Sequence, residues 1–143
     1  LAVAEVKAYQ PYLRNTNDPG ATVPTTPADI AELSGQLKNT GHTVWPDGRV
    51  HHSGVTTVFT PNTRVSYSSG GMEYDIDFNS VQEGKRNDQA TYAAITSRSY
   101  HVGGRVNVGM LDGSTRSVSD TISLEIWRAL GTIRGGEITA MEF

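Results

Sequence analysis

Hydrophobic positions along this chain change their spacing, and each change marks an expected element. Between residues 27 and 37, Ile30, Leu33 and Leu37 stand three and four apart, the stripe of a one-sided helix. Thr26 is placed to cap it, Pro27 suits the first helical position, and Asp29 and Glu32 favour the positive end of the dipole. Gly35 weakens the middle of the stripe, and Gly41 lies past its end. From His42 onward the period becomes two. Segments 42–45 and 49–52 flank Pro46-Asp47-Gly48, a combination that reads as a hairpin. Segments 55–60 and 63–67 read as strands on either side of Pro61-Asn62. Tyr74, Ile76 and Phe78 then alternate with Asp75, Asp77 and Asn79, the pattern of a half-buried strand, and 90–99 reads as a strand again. Segments 15–26 and 80–89 read as loops. Residues 1–13 fit a short helix ending before Pro11 and, nearly as well, a strand.

The last third carries the clearest pattern. Val106, Val108 and Met110 share one strand face, Asp112-Gly113 signals a type I′ turn, and 115–119 returns antiparallel. Ser123 is placed to cap a helix over 124–130. Ile122 before the cap and Trp127 beyond it form a hydrophobic staple, and Gly131 fits the C′ position.

Composition narrows the class. The 143 residues suit a single domain, with a helix-and-loop part over 1–40 and a β-rich part over 41–143. A 36% hydrophobic content predicts a lean core, and 15 glycines with 6 prolines favour short strands joined by turns. The expected class is therefore α+β, predominantly antiparallel, with two short helices at 27–37 and 124–130. A net charge of -3 gives no electrostatic footprint for nucleic acid or an anionic membrane surface. The chain has no cysteine, which removes disulfides, thiolate metal sites and cysteine nucleophiles. It starts at Leu1 rather than methionine, which leaves room for a preceding signal or anchor.

Three groups of side chains could carry chemistry. His42, Trp45, Asp47, His51 and His52 crowd the expected hairpin, but consecutive histidines on a strand face opposite ways and cannot share one ion. Glu73, Asp75 and Asp77 share a strand face without any calcium-loop spacing, and an exposed charged face is the simpler expectation. His101 and Asp112 bracket a strand next to Gly103-Gly104, with no G-x-S-x-G elbow, dinucleotide glycine series or Walker lysine nearby. Arg98, Arg105, Arg116 and Arg128 read as solvated charge or cross-strand pairs.

The tail also carries a resemblance. The runs 97–104 and 106–108, Asp112-Gly113-Ser114, 127–132 and Gly135-Gly136-Glu137 resemble the C-terminal signature of a large bacterial family of unknown function (domain of unknown function 1559, also labelled solute-binding protein family 10). Gly41-His42-Thr43, 47–51, 59–63, 77–80 and Glu83-Gly84-Lys85 resemble its middle region. The family's hallmark is a His, nine residues, then Asp-Gly. Here ten residues separate His101 from Asp112, with Arg105 as the extra one, and a bulge in the strand is the expected way to absorb it.

The family is expanded in planctomycetes and has a prepilin-type N-terminus. The resemblance implies a precursor with a cleavable leader and a long hydrophobic N-terminal helix ahead of this chain. It implies a pseudopilin-like globular head, extracytoplasmic, with protein partners such as other pilin-like subunits and membrane contact only through that helix. The expected function is thus non-enzymatic, in assembly or surface interaction. The alternative is a ligand- or metal-binding module using His42, His51, His101 and Asp112, and a hydrolase stands third. No cofactor is expected, and calcium or zinc is supported by no spacing.

Overall fold

A computed structural model describes residues 1–14, 23–81, 88 and 90–132; parts of the loops expected at 15–26 and 80–89, and Gly135-Gly136-Glu137, lie outside the described residues. The fold is α+β and mostly antiparallel, as expected, with three short helices among the described residues rather than two. The opening segment is strand: β1 (Val3–Ala4) and β2 (Gln10–Arg14). Pro11 lies within β2, where the pairing with β3 (Gln36–Gly41) slips between Gln10 and Tyr12. An irregular register is where a strand tolerates a residue with no N–H to donate.

The helix expected over 27–37 closes early, as α1 (Pro27–Ala31). Its start is a capping box: Thr26 Oγ1 accepts from the Asp29 N–H, while the Asp29 carboxylate accepts from the Thr26 and Thr25 N–H groups. Those bonds hold the Asp29 carboxyl down at about 2. Ile30 fills the core and Leu33 packs beside it, but Leu37 belongs to β3 and pairs with Leu13. The apolar spacing was shared between a helical turn and a strand, with Gly35 between them.

The hairpin expected over 42–52 is instead a turn followed by α2 (Val50–Ser53). The Asp47 carboxylate takes the Arg49 N–H at 3.0 Å and its guanidinium as well, and Ser53 Oγ donates to the Asp47 carbonyl. This local capture folds the chain back on itself before any strand can form. Segment 55–60 has no strand structure, and the expected strand over 63–67 starts later, as β4 (Ser66–Ser69). β4 pairs with β5 (Met72–Asp75) through Gly70-Gly71, both at positive φ, which makes this the type I′ hairpin of the described chain. At Asp112-Gly113 only the glycine has positive φ, and Leu111-Asp112-Gly113 forms a three-residue loop instead.

β6 (Asp77–Asn79) runs parallel to β2 and antiparallel to β7 (Ala93–Ala94), giving a mixed four-stranded sheet in the order β3-β2-β6-β7. Only this two-residue piece of the strand expected over 90–99 forms a ladder. The first core gathers Leu13, Ile30, Phe59, Val65, Ile76, Phe78 and Ala94.

The tail follows its pattern. β8 (Arg105–Gly109) pairs with β1 and with β9 (Thr115–Ser119), and α3 (Leu124–Leu130) closes the second core. Ser123 Oγ accepts from the Ile126 N–H. Trp127 and Leu130 pack with Val106, Val108 and Val118, and Ile122 and Met110 lie against them. Gly131 is the C-cap, with φ -83° rather than a left-handed C′ geometry. The β8–β9 register is regular from Arg105 to Gly109, so no strand bulge absorbs the extra residue. Gly103 and Gly104, both at positive φ, turn the chain just before the strand begins. No described helix is long and apolar enough to cross a membrane.

Candidate functional site

Two polar constellations stand out, one buried and one exposed. The buried one centres on Arg98, which is 2% exposed. Its Nη1 donates to Asp75 Oδ2 at 2.7 Å and to the Thr63 carbonyl at 2.9 Å, and its Nη2 donates to Asp77 Oδ1 at 3.0 Å. Asp77 also accepts from the Thr96 N–H, and Asp75 accepts from the Val65 N–H. Burial pushes the Asp77 carboxyl up to about 6, the Arg98 charge only partly offsetting that cost. Next along β6, Asn79 Nδ2 donates to His51 Nδ1 at 2.9 Å, and the His51 ring packs 4.9 Å from that of Tyr12. Glu73 is exposed as expected and Asp75 partly so, but the half-buried strand and the exposed place expected for Asp77 are corrected. Ile76, Asp77, Phe78 and Asn79 are all buried, because β6 has a neighbour on each side and its polar residues find partners inside. Arg98 is likewise a buried hub, whereas Arg105 makes the expected cross-strand contact, to Ser117.

The exposed constellation joins two distant stretches of chain, one around Glu5 and one from His101 to Asn107. Glu5, just after β1, accepts the Asn107 N–H on Oε2 at 2.7 Å. Its Oε1 lies 3.0 Å from His101 Nε2 and 2.9 Å from Asn107 Nδ2, and those two nitrogens are 3.1 Å apart. Burial would raise the Glu5 carboxyl, but the Asn107 N–H and the bonds from His101 and the Asn107 amide bring it below its ordinary value. A groove of about 350 Å³ opens alongside, lined by Glu5, Lys7, Ser99, Tyr100 and His101 among others. The Lys7 ammonium sits 3.9 Å over the Tyr100 ring. A wider cleft of about 630 Å³ has only Thr side chains, Arg128 and the Leu1 amine as polar groups among apolar residues, without a carboxylate or imidazole for acid–base work.

The four expected site residues fall in separate places. His42 donates its Nδ1–H to the His52 carbonyl at 3.3 Å, and its N–H bonds the His51 carbonyl. Burial lowers its pKa, which keeps the ring neutral. His51 lies in the core against Asn79, on a helical turn that stacks it against His52 with ring centres 4.3 Å apart. His101 and Asp112 stand at opposite ends of β8, a five-residue strand spanning about 17 Å. His101 meets Glu5. Asp112 accepts the Ser114 N–H and hydroxyl, and those bonds lower its pKa. Among the described residues no three His, Asp or Glu side chains form a group able to hold a metal.

Sequence reasoning missed Arg98, Glu5 and Asn107 as partners. One signal for Arg98 was present: it is the sole charge in the run 90–99, otherwise apolar and hydroxylic. Glu5 and Asn107 are 102 residues apart and gave none.

Fold and sites together define a β-rich scaffold whose buried polar groups brace its strands, with one small exposed cluster that pairs a histidine with a carboxylate among the described residues. Over residues 1–125 the chain matches the family model described as a protein of unknown function (DUF1559) and labelled SBP_bac_10, and it belongs to that family. No curated protein and no solved structure matches it.

Proposed function

We propose that this chain is the non-enzymatic head domain of a pseudopilin-like protein, held outside the cytoplasm by an N-terminal helix preceding Leu1 and acting in assembly or surface interaction with pilin-like subunits. The observation that carries the reading is the division of labour between interior and surface. Buried polar groups bond one another around Arg98, while large apolar side chains face solvent on loops: Trp45 is 84% exposed, Tyr100 86%, Val102 99% and Leu111 79%. Apolar side chains carried on loops between strands suit recognition of protein. Family membership supports the reading through the prepilin-type N-terminus of the family it resembles. A ligand-binding reading has the family label in its favour, but the cleft of about 630 Å³ is lined mostly by apolar residues and threonines, which gives a polar solute few groups to bind.

Fractionation of cells expressing the precursor tests the proposal. It predicts a leader-processed protein in a membrane or filament fraction, with Tyr100→Ser and Trp45→Ser variants folded but released from the assembly. Recovery as an unprocessed cytosolic protein overturns it.

A further inference from the structure

The Glu5–His101–Asn107 cluster brings three polar atoms so close together that only two of its three edges can be hydrogen bonds at once. Three polar atoms, His101 Nε2, Glu5 Oε1 and the outer amide atom of Asn107, stand 3.0, 2.9 and 3.1 Å apart in a nearly equilateral triangle. A carboxylate oxygen only accepts, an amide nitrogen only donates, and an imidazole nitrogen does one or the other. If His101 Nε2 carries a proton, it and the Asn107 amide both donate to Glu5 Oε1, and the edge between the two donors carries no bond. If it does not, it accepts from the amide, and its lone pair faces the carboxylate. Turning the amide to present oxygen moves the repulsion to another edge. One edge of the triangle is unbonded in every arrangement.

A cation satisfies all three edges at once. With the Asn107 amide turned so that Oδ1 points inward, three lone pairs converge on one point. An equilateral face of about 3.0 Å edge is one face of an octahedron whose centre lies about 2.1 Å from each corner, the distance at which zinc-like ions bind imidazole nitrogen and carboxylate oxygen. We infer that Glu5, His101 and Asn107 form a three-ligand facial site for a divalent first-row transition cation, its remaining positions open to water. The imidazole selects against calcium and magnesium, which take oxygen ligands.

The surroundings fit. The Asn107 N–H fixes the second carboxylate oxygen of Glu5, orienting the first. The His101 side chain is 53% exposed and that of Glu5 34%, and the adjoining groove gives an ion a path. Because Glu5 is distant along the chain from His101 and Asn107, an ion here would tie the segment after β1 to β8 and to the turn before it. This role is independent of the proposed assembly function. It also gives His101 a partner set that does not include Asp112.

Titration of the tag-free chain with Zn²⁺ or Co²⁺ alone tests the inference, followed by thermal shift, cobalt absorption in the visible range and the imidazole NMR signals. One equivalent is expected to bind, raising Tm and perturbing the His101 ring ahead of His42, His51 and His52. All three ligands' side chains are reached from the surface, so His101→Ala should fold. It should weaken binding by more than the roughly 10–100-fold that loss of an outer-shell partner costs. Asn107→Asp should strengthen binding, and Asp112→Ala should leave it unchanged. The inference is overturned by the absence of saturable binding up to roughly millimolar metal, by binding indifferent to His101→Ala, or by a preference for Ca²⁺ over Zn²⁺.

Discussion

Arg98 holds a permanent charge in a position that is 2% exposed, and only its partners make that tolerable. Both carboxylates and the Thr63 carbonyl converge on one guanidinium. Arg98→Met keeps much of the side-chain volume but leaves Asp77 buried without its counter-charge. Breaking such a pair costs about 3–5 kcal/mol, so chemical denaturation should show a loss of that order. Asp77 also has a pH signature. Its carboxyl titrates near 6 in the folded chain against 3.8 as a free side chain, so between about pH 4 and 6 the folded state binds more protons than the unfolded one. Its contribution to stability therefore falls as pH rises through that window. Glu5, Asp29, Asp47 and Asp112 work the other way, since each is lowered in the fold and its contribution is lost on acidification. Asp77→Asn isolates the first effect: wild-type stability minus that of the variant should decline from pH 4 to pH 6. A flat or rising difference would show that Asp77 does not titrate high.

At the scale of elements, legibility followed how local the deciding forces were. The β8–β9 hairpin and α3 were readable because each signal lies within a few residues of its effect: alternating valines, a glycine turn, and a serine three positions before the N–H it caps. The start of α1 was equally readable, but much of the stretch from 32 to 59 was not: apart from the local Asp47 capture, its outcome depends on contacts far away. Leu37 becomes strand through Leu13, and His51 is buried against Asn79. The same holds for the candidate sites, since His101 was visible in the sequence but Glu5, which orients it, was not. The turn before β8 gives an element-scale prediction. Gly103 and Gly104 both have positive φ, but a Cβ on Gly103 would meet open space, whereas one on Gly104 would run into the Asp120 carboxylate. Gly103→Ala should cost about 1–2 kcal/mol for the left-handed backbone alone. Gly104→Ala should cost measurably more in urea denaturation, and Asp120→Ala should recover the excess in the double variant. Equal costs at the two glycines would mean the Asp120 contact is not tight.

Across the whole molecule, two hydrophobic cores sit in two sheets with no strand in common. They are joined by Arg128 of α3, which donates to the Val58 carbonyl beside the first core, and by the stretch from Ile95 to Ser99, which lies outside any ladder. Its Ile95 carbonyl takes the Thr56 N–H, Thr96 bonds Asp77 of β6, and Ser97 and Arg98 both donate to the Glu5 carbonyl beside β1. Arg98 thus bonds β6 through its side chain and the end of β1 through its backbone N–H, so opening the first core strips partners from a buried charge and opening the second leaves that N–H unpaired. That expense couples the two halves more firmly than their separate apolar contacts would, and it predicts a single unfolding transition. The two tryptophans make this measurable, because Trp127 lies wholly inside the second core while Trp45 is 84% exposed. In a Trp45→Phe variant, tryptophan emission follows the second core alone, whereas far-ultraviolet dichroism follows the strands of both. The two signals should share one denaturant midpoint in that background. Adding Arg98→Met should separate them, with the strands around β6 lost first and Trp127 persisting to higher denaturant. Midpoints that stay coincident after Arg98 is replaced would place the coupling elsewhere, in the bonds from Arg128 of α3 to the Val58 carbonyl.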